Sequence, residues 1–136
     1  YILKNGNTET VLLKDELAFA QLYIGLQQTR FQSGLQVNID LPEEFLYARI
    51  APVTIQNLIE NAIKHNIIDI ESPLIIDLFV EDDYLVVQNN LQKKGKVGTS
   101  NKQGLAQFVT FYTYLIDKPV LIEETAQFFT VKIPLI

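Results

Sequence analysis

The sequence predicts an α+β domain in which a mixed, mostly antiparallel sheet carries about three helices on one face. Three segments have the apolar spacing of amphipathic helices, one segment alternates apolar and polar residues as a half-buried strand does, and two further pairs of short segments are typical of antiparallel strand pairs. The chain has 136 residues, 48% of them hydrophobic, which suits one compact domain. It contains no cysteine, so disulfides, thiolate metal sites and cysteine nucleophiles are excluded.

The order of elements follows from the positions of apolar residues. The predicted elements are a helix over 14–31, a strand over 35–41, a helix over 52–66, a strand hairpin over 74–80 and 84–90, a third helix around 105–112, and a closing strand pair over 120–124 and 128–135. The pair Asp15–Glu16 suits the positive end of the first helix dipole, and Pro52 suits a first helical turn. Residues 91–103 are polar and are predicted to form a mobile loop. Phe111 and Tyr114 are predicted to be core, and the competing interpretation is that they contact a partner.

The chain is acidic overall, but its charge is locally reversed. The formal net charge of −5 argues against nucleic-acid binding, which needs a basic face. Between Tyr84 and Ile116 there is no acidic residue, and there are four lysines, Lys93, Lys94, Lys96 and Lys102. Two interpretations stay open for this segment: a cationic loop that meets a small polyanion such as a nucleotide, or a loop that lysines keep solvated.

The second predicted helix, VTIQNLIENAIKHNI over 53–67, carries a polar face with the parts of a Mg–ATP site. With a rotation of about 100° per residue, Asn57, Asn61 and Lys64 lie within about 60° of one another, and Glu60 lies beside them. The opposite, apolar face holds Ile55, Leu58, Ile59 and Ala62. An amide oxygen suits Mg²⁺, an ammonium neutralises a phosphate, and a carboxylate accepts a proton or holds a metal-bound water. The competing interpretation is a polar face that only contacts solvent.

The segment LIENAIKHNI over 58–67 resembles the N-box of the GHKL, or Bergerat-fold, ATPases. The closest resemblance within that group is to sensor histidine kinases of the LytS-like type. Three flanking segments are similar to the same kinases in order and spacing: VLLKDELAFAQLYIGLQQTRF, LQVNIDL and KPVLIEETAQFFTVKIPLI. The resemblance implies a two-layer α/β sandwich, with a connector helix over 1–32 after the phosphoacceptor region and an ATP-binding domain over 33–136, compact as a whole.

The resemblance assigns roles within the N-box helix. It implies that Asn61 coordinates Mg²⁺ and that Lys64 and His65 approach the phosphates. It makes Glu60 the candidate catalytic residue, polarising the nucleophile or the metal's water. Asn57, one turn earlier, is a further nucleotide-binding position.

Two other family motifs are degenerate here. Asn89, in VVQNNLQ, aligns with the aspartate that reads adenine in the family, and the glycines that follow that aspartate are missing. Lys102 and Gly104 align with the two glycines of the phosphate-binding lid, so one glycine is retained. An asparagine oxygen accepts a hydrogen bond from the adenine amino group less strongly than a carboxylate does. Lys102 restricts the backbone where the family has a glycine.

The function implied is that of the catalytic domain of a two-component sensor histidine kinase, which binds ATP and Mg²⁺ and donates the γ-phosphate to a histidine. In the family that histidine lies upstream of the first helix, so His65 is not the phosphoacceptor and these residues alone are not expected to autophosphorylate. Tyr1 is accordingly expected to be an internal point of a longer chain. The main alternative is a degenerate domain that binds no nucleotide and serves in dimerisation or docking. A free-standing GHKL ATPase is a less favoured third interpretation.

The resemblance also implies partners and a location. The expected partners are the phosphoacceptor helical domain of the same protein, a LytTR-type response regulator downstream and a second copy in a full-length homodimer. No nucleic acid is expected. The domain is expected on the cytoplasmic side of a membrane-anchored bacterial protein, attached to the membrane only through preceding segments.

Overall fold

The computed structural model describes residues 10–92, 105–116 and 118–136. The elements are β1 (Val11–Leu12), α1 (Leu13–Phe31), β2 (Leu35–Asp40), β3 (Arg49–Ile50), α2 (Thr54–His65), β4 (Leu74–Glu81), β5 (Tyr84–Asn90), α3 (Ala106–Leu115), β6 (Leu121–Glu124) and β7 (Phe128–Pro134). Short 3₁₀ turns over Gln32–Gly34 and Glu43–Phe45 flank β2. Within this part of the chain, no helix combines the length and apolarity needed to cross a membrane.

The main sheet has five strands in the order β2-β4-β5-β7-β6. Its first pair, β2 with β4, is parallel, and the other three pairs are antiparallel. The parallel pair needs a long crossover, and α2 supplies it. The predicted mixed, mostly antiparallel sheet is therefore confirmed. A second, two-stranded sheet formed by β1 and β3 was not predicted, because strands of two residues leave no alternating pattern.

The predicted hairpin between β4 and β5 is confirmed, and its turn explains the acidic residues there. Asp82 and Asp83 have φ of 53° and 64°, so both lie in the left-handed region. A two-residue turn of this kind matches the twist of the flanking strands, and aspartate tolerates it better than most residues.

The hydrophobic core lies between the helices and one face of the sheet. It is made of alternate residues of the strands together with one side of each helix, and its largest fully buried members include Leu13, Ile50, Ile55, Ile59, Leu74, Ile76, Leu78, Leu85, Leu105, Tyr112 and Ile133. The α+β architecture with helices on one face is therefore confirmed. Gly34 belongs to this packing, because a Cβ there would lie 3.2 Å from the Asp69 carbonyl carbon.

The third helix differs from the prediction at one position. Tyr112 is fully buried and Phe111 is half-buried with its ring edge-on to Tyr112. The expectation that Tyr114 is core is wrong, because its side chain is 68% exposed. Tyr114 and Phe111 instead line an open, mostly apolar concavity of about 450 Å³ together with Ala106 and Thr110. Tyr114 is about 200° around the helix axis from the buried Tyr112, so the rotation of α3 that buries Tyr112 turns Tyr114 outward.

Candidate functional site

The apolar side of α2 is buried as predicted. Ile55, Leu58, Ile59 and Ala62 are all in the core, and the helix lies against β4 and β5. This burial fixes the rotation of α2 about its own axis, since turning the helix would expose these side chains. The polar residues on the other side are therefore held in a defined direction.

The predicted polar face of α2 is accessible. Asn57, Glu60 and Lys64 are exposed, whereas Asn61 and His65 are half-buried at the edge of the core. Asn57 and Asn61 are one turn apart, so their amides lie on the same row of the helix. The structure thus brings the predicted amide, ammonium and carboxylate groups onto one side of α2. In the described residues, no group of three or more Asp, Glu or His side chains gathers to hold a metal.

Asn89 lies in β5 beneath the helix layer. It shares a sheet face with the core residues Leu85 and Val87, because alternate residues of a strand point the same way. Its side chain is 3% exposed, and its Nδ2 donates to the carbonyl of Asn90 at 2.8 Å. Its side-chain oxygen accepts no hydrogen bond from any residue of the described ranges. A buried acceptor without a donor is unusual, and it suits a ligand that brings an amino group.

A network that the sequence analysis missed ties the end of α2 to the end of β5. Asn66 is fully buried; its Nδ2 donates to the Ala62 carbonyl at 2.9 Å, and its Oδ1 accepts from the Gln92 amide at 2.7 Å. The Gln92 Nε2 in turn donates to the carbonyls of Ile67 at 2.9 Å and Ser72 at 2.7 Å. This network fixes Gln92, two residues beyond the end of β5, against the end of α2.

Lys102 and Gly104, the predicted lid residues, lie outside the described residues. The same holds for the other three lysines of the cationic segment, Lys93, Lys94 and Lys96.

A second feature missed by the sequence analysis lies at the start of α2. Glu16 of α1 is 4% exposed, and its two carboxylate oxygens accept from the backbone amides of Val53 at 3.0 Å and Ile55 at 2.9 Å. The pair Asp15–Glu16 was expected to serve its own helix, and Asp15 is indeed exposed in the first turn of α1. Glu16 instead caps another helix, because the first amides of any helix have no partner within it and favour a negative charge.

Tyr112 of α3 completes this junction from the other side. Its hydroxyl accepts from the Ala51 amide at 2.9 Å and lies 3.0 Å from the Thr54 Oγ1, which donates to the Ala51 carbonyl at 2.7 Å. Burial raises the pKa of the Tyr112 phenol to about 12, since the charged form is poorly solvated there, although these hydrogen bonds oppose the shift. Residues 51–55 are thus held by both α1 and α3.

Glu60 of α2 acts electrostatically on Tyr23 of α1. The pKa of the Tyr23 phenol in α1 is raised mainly by burial and further by the negative charge of Glu60, whereas Arg30 lowers it. Glu60 is therefore close enough to α1 for the two side chains to interact electrostatically.

Val53, just before α2, has an unusual backbone conformation. Its φ of 66° lies in the left-handed region, which is strained for a β-branched residue. Its amide donates to Glu16, and its carbonyl accepts the first helical bond, from the Asn57 amide at 3.0 Å. The left-handed turn therefore aims both groups at their partners.

We expect Val53→Gly to be more stable than Val53→Ala by about 1 kcal/mol in free energy of unfolding. Glycine adopts the left-handed region without a steric penalty, while both variants lose the same half-exposed side chain. Urea unfolding of the two variants checks this. Equal stability, or a more stable alanine variant, would show that the backbone of Val53 carries no strain.

The comparisons with known proteins point to one group. No protein-family model matches the chain. A segment of 58 residues, 43% of this chain, is 43% identical to the sensor histidine kinase BtsS of Escherichia coli K12 and covers 10% of that protein. A segment of 59 residues is 39% identical to the sensor protein kinase HptS of Staphylococcus aureus USA300 and covers 11% of it. Each match therefore spans about a tenth of the relative's length.

Solved structures share the fold across almost the whole chain. The catalytic domain of histidine kinase ThkA, in a nucleotide-free form, aligns with a TM-score of 0.60 and 13% identity, covering 92% of this chain and 94% of that one. The cytoplasmic segment of histidine kinase QseC aligns with a TM-score of 0.60 and 16% identity, over 93% and 77% of the two chains. The Acinetobacter baumannii histidine kinase AdeS aligns with a TM-score of 0.55 and 16% identity, over 93% and 66%.

At 13–16% identity the solved structures establish the fold alone. The matches to BtsS and HptS show similarity in sequence. The resemblance predicted from the N-box is confirmed at this level. Over a segment of 58–59 residues the chain is related in sequence to two sensor histidine kinases, and as a whole it has the GHKL fold that histidine kinase catalytic domains share.

Proposed function

We propose that the chain is the catalytic domain of a LytS-like sensor histidine kinase, which binds Mg–ATP and donates the γ-phosphate to a histidine outside these 136 residues. The observation that carries the proposal is the placement of Asn57, Asn61 and Lys64 on one accessible side of α2. The buried side-chain oxygen of Asn89, which accepts from no residue of the described ranges, supports it independently. Since α2 packs on β5, the carboxamides of α2 and the buried amide of Asn89 belong to the same part of the fold.

The donor set fits the nucleotide and its metal. Asn61 offers a neutral amide oxygen, a ligand that Mg²⁺ accepts while it keeps waters and phosphate oxygens in its other positions. Lys64 supplies a positive charge to the phosphates, with His65 next to it. Asn89 accepts from the adenine amino group. When bound, Mg²⁺ supplies neutralisation of the charge on the phosphates, and positioning with charge neutralisation is most of what phosphoryl transfer needs.

Glu60 and the remaining partners follow from the same proposal. Glu60, exposed beside Asn61, accepts a proton or holds a metal-bound water. Residues 1–32 act as the connector from a phosphoacceptor helical domain, and 33–136 form the ATP-binding unit. The whole protein is proposed to be a membrane-anchored bacterial homodimer with this domain in the cytoplasm, passing phosphate to a LytTR-type response regulator.

Calorimetric titration with a non-hydrolysable ATP analogue tests the proposal. We expect binding that requires Mg²⁺ and that weakens at least tenfold in Asn61→Ala, because the metal loses its protein ligand. Gln56→Ala is the matched control: it removes a carboxamide from the same helix outside the predicted site, and its affinity should stay within twofold of wild type. Absence of binding at millimolar analogue, or equal loss in both variants, would contradict the proposal.

A second candidate is a degenerate domain that docks a partner without binding nucleotide. It is favoured by an apolar stripe on the outer side of α1, where Phe19, Leu22 and Leu26 are 53%, 71% and 69% exposed. These residues lie at helical spacing, so a partner helix could cover them together. The same titration separates the candidates, since this one requires a folded domain with no affinity for the analogue.

A further inference from the structure

The start of α2 is held by a carboxylate that the chain has placed in its interior. Glu16 is 4% exposed, and a buried carboxylate is costly unless it is hydrogen-bonded. The amides of Val53 and Ile55 meet that requirement, and α2 gains an acceptor for donors that no helical carbonyl can reach. Each group therefore depends on the other, although they come from different helices.

The geometry of this link resists movement of one helix without the other. Two oxygens of one carboxylate bind two amides that are two residues apart, so both a sliding and a rotation of α1 would lengthen at least one bond. The left-handed φ of 66° at Val53 is what aims its amide at Glu16. Charge-assisted hydrogen bonds of this kind are about twice as strong as neutral ones.

The proposed nucleotide-binding side chains lie on α2, beyond the first turn that Glu16 holds. Asn61 lies six residues beyond Ile55, about 9 Å along the helix axis. A helix held at its first turn and packed along one side moves as a unit, so a shift at Val53 is carried to Asn57 and Asn61. α1 also packs against α2, and the negative charge of Glu60 on α2 helps to raise the pKa of the Tyr23 phenol on α1.

We propose that Glu16 is a positioning residue that sets the place of α2 and thereby couples the orientation of α1 to the nucleotide-binding face. The inference rests on the proposed function, because it assigns a regulatory input to the same Mg–ATP site. By reciprocity, anything that displaces α1 changes nucleotide affinity, and nucleotide binding changes the surroundings of α1.

The test uses the absence of cysteine in the chain to attach one reporter. Leu22→Cys on the exposed side of α1 carries a trifluoromethyl label, and Ala126→Cys, in the turn between β6 and β7, carries the control label. Fluorine spectra are recorded with and without Mg²⁺ and the ATP analogue. We expect the signal at position 22 to shift on binding and the signal at position 126 to stay unchanged.

The same measurements are made in Glu16→Gln. This substitution keeps one of the two acceptor oxygens, replaces the other with an NH₂ group and removes the negative charge. Asp15→Asn is the matched control, because it removes the same charge one residue away on the exposed side of α1. We expect Glu16→Gln, verified as folded by circular dichroism, to bind the analogue at least threefold more weakly and to lose the shift at position 22. Asp15→Asn should retain the shift and an affinity within twofold of wild type.

The outcomes separate the inference from the function on which it rests. Wild-type binding without a shift at position 22 overturns the coupling and leaves the proposed function standing, and this arm needs no folded Glu16 variant. A Glu16→Gln protein that keeps both affinity and shift overturns the role of Glu16. A wild-type chain that fails to bind the analogue overturns the proposed function, and this inference falls with it.

Discussion

Replacing Glu16 with alanine is expected to lower the free energy of unfolding by about 3 kcal/mol. The substitution leaves the amides of Val53 and Ile55 buried without an acceptor, and each unsatisfied buried donor costs on the order of 1–3 kcal/mol. It also removes a negative charge from the positive end of α2. The relief of a buried carboxylate offsets part of this loss. Urea unfolding followed by far-UV circular dichroism measures the change.

Two companion variants identify the cause of that loss. Glu16→Gln retains one good acceptor and should lose roughly half as much free energy. Asp15→Asn removes an exposed charge in the same turn and should change stability by less than about 0.5 kcal/mol. If Glu16→Ala lowered the free energy of unfolding by no more than Asp15→Asn does, the two hydrogen bonds from Glu16 to the start of α2 would contribute little to the stability of the fold.

The raised pKa of the Tyr112 phenol is expected to lower the free energy of unfolding by roughly 2 kcal/mol as the pH rises from 10 to 12. The pKa of its phenol is raised from 10.0 to about 12 by burial. A raised folded-state pKa means that the stabilisation is fully present below pH 10, where the phenol is protonated in both states. It is lost as the pH rises towards the folded-state value, because only the unfolded chain then releases the proton readily.

The measurement is the free energy of unfolding in urea at pH 9 and pH 11. Over this interval wild type should lose about 1.4 kcal/mol more than Tyr112→Phe, in which the phenol is gone. Tyr114→Phe is the matched control on the same helix: Tyr114 is exposed, so this variant should follow wild type. Parallel pH curves for wild type and Tyr112→Phe would contradict a protonated buried phenol.

The fold was predictable because its signals are local. Leu35–Asp40 alternates apolar and polar residues, Leu74–Glu81 and Tyr84–Asn90 flank an acidic turn, and α2 shows an apolar row at helical spacing. Such patterns depend only on the direction in which each side chain leaves the backbone. Local patterns do not predict which strands lie side by side in the sheet. They also do not reveal the small sheet of β1 and β3, since a strand of two residues is too short to show a period.

The candidate site was predictable only in part. The sequence predicts the side of α2 that carries Asn57 and Asn61, because each residue turns about 100° around the helix axis and the apolar side is recognisable. Glu16 could have been noticed, because it stands in the same helical row as the buried Leu13 and Ala20, where an acidic residue needs a partner. The identity of that partner was not available, since it lies 37–39 residues away in the sequence.

The amino-acid order by itself determined most of the apolar core, where the longer helices and strands form and that one side of α2 is polar, because these depend on side-chain chemistry at short spacing. Only the tertiary structure decided what holds α2 in place. Residues 51–55 receive Glu16 from α1 and Tyr112 from α3, and these contacts exist only after the chain has brought distant segments within about 3 Å of one another. Hydrogen bonds form only at that distance, so the spacing of residues along the sequence cannot predict them.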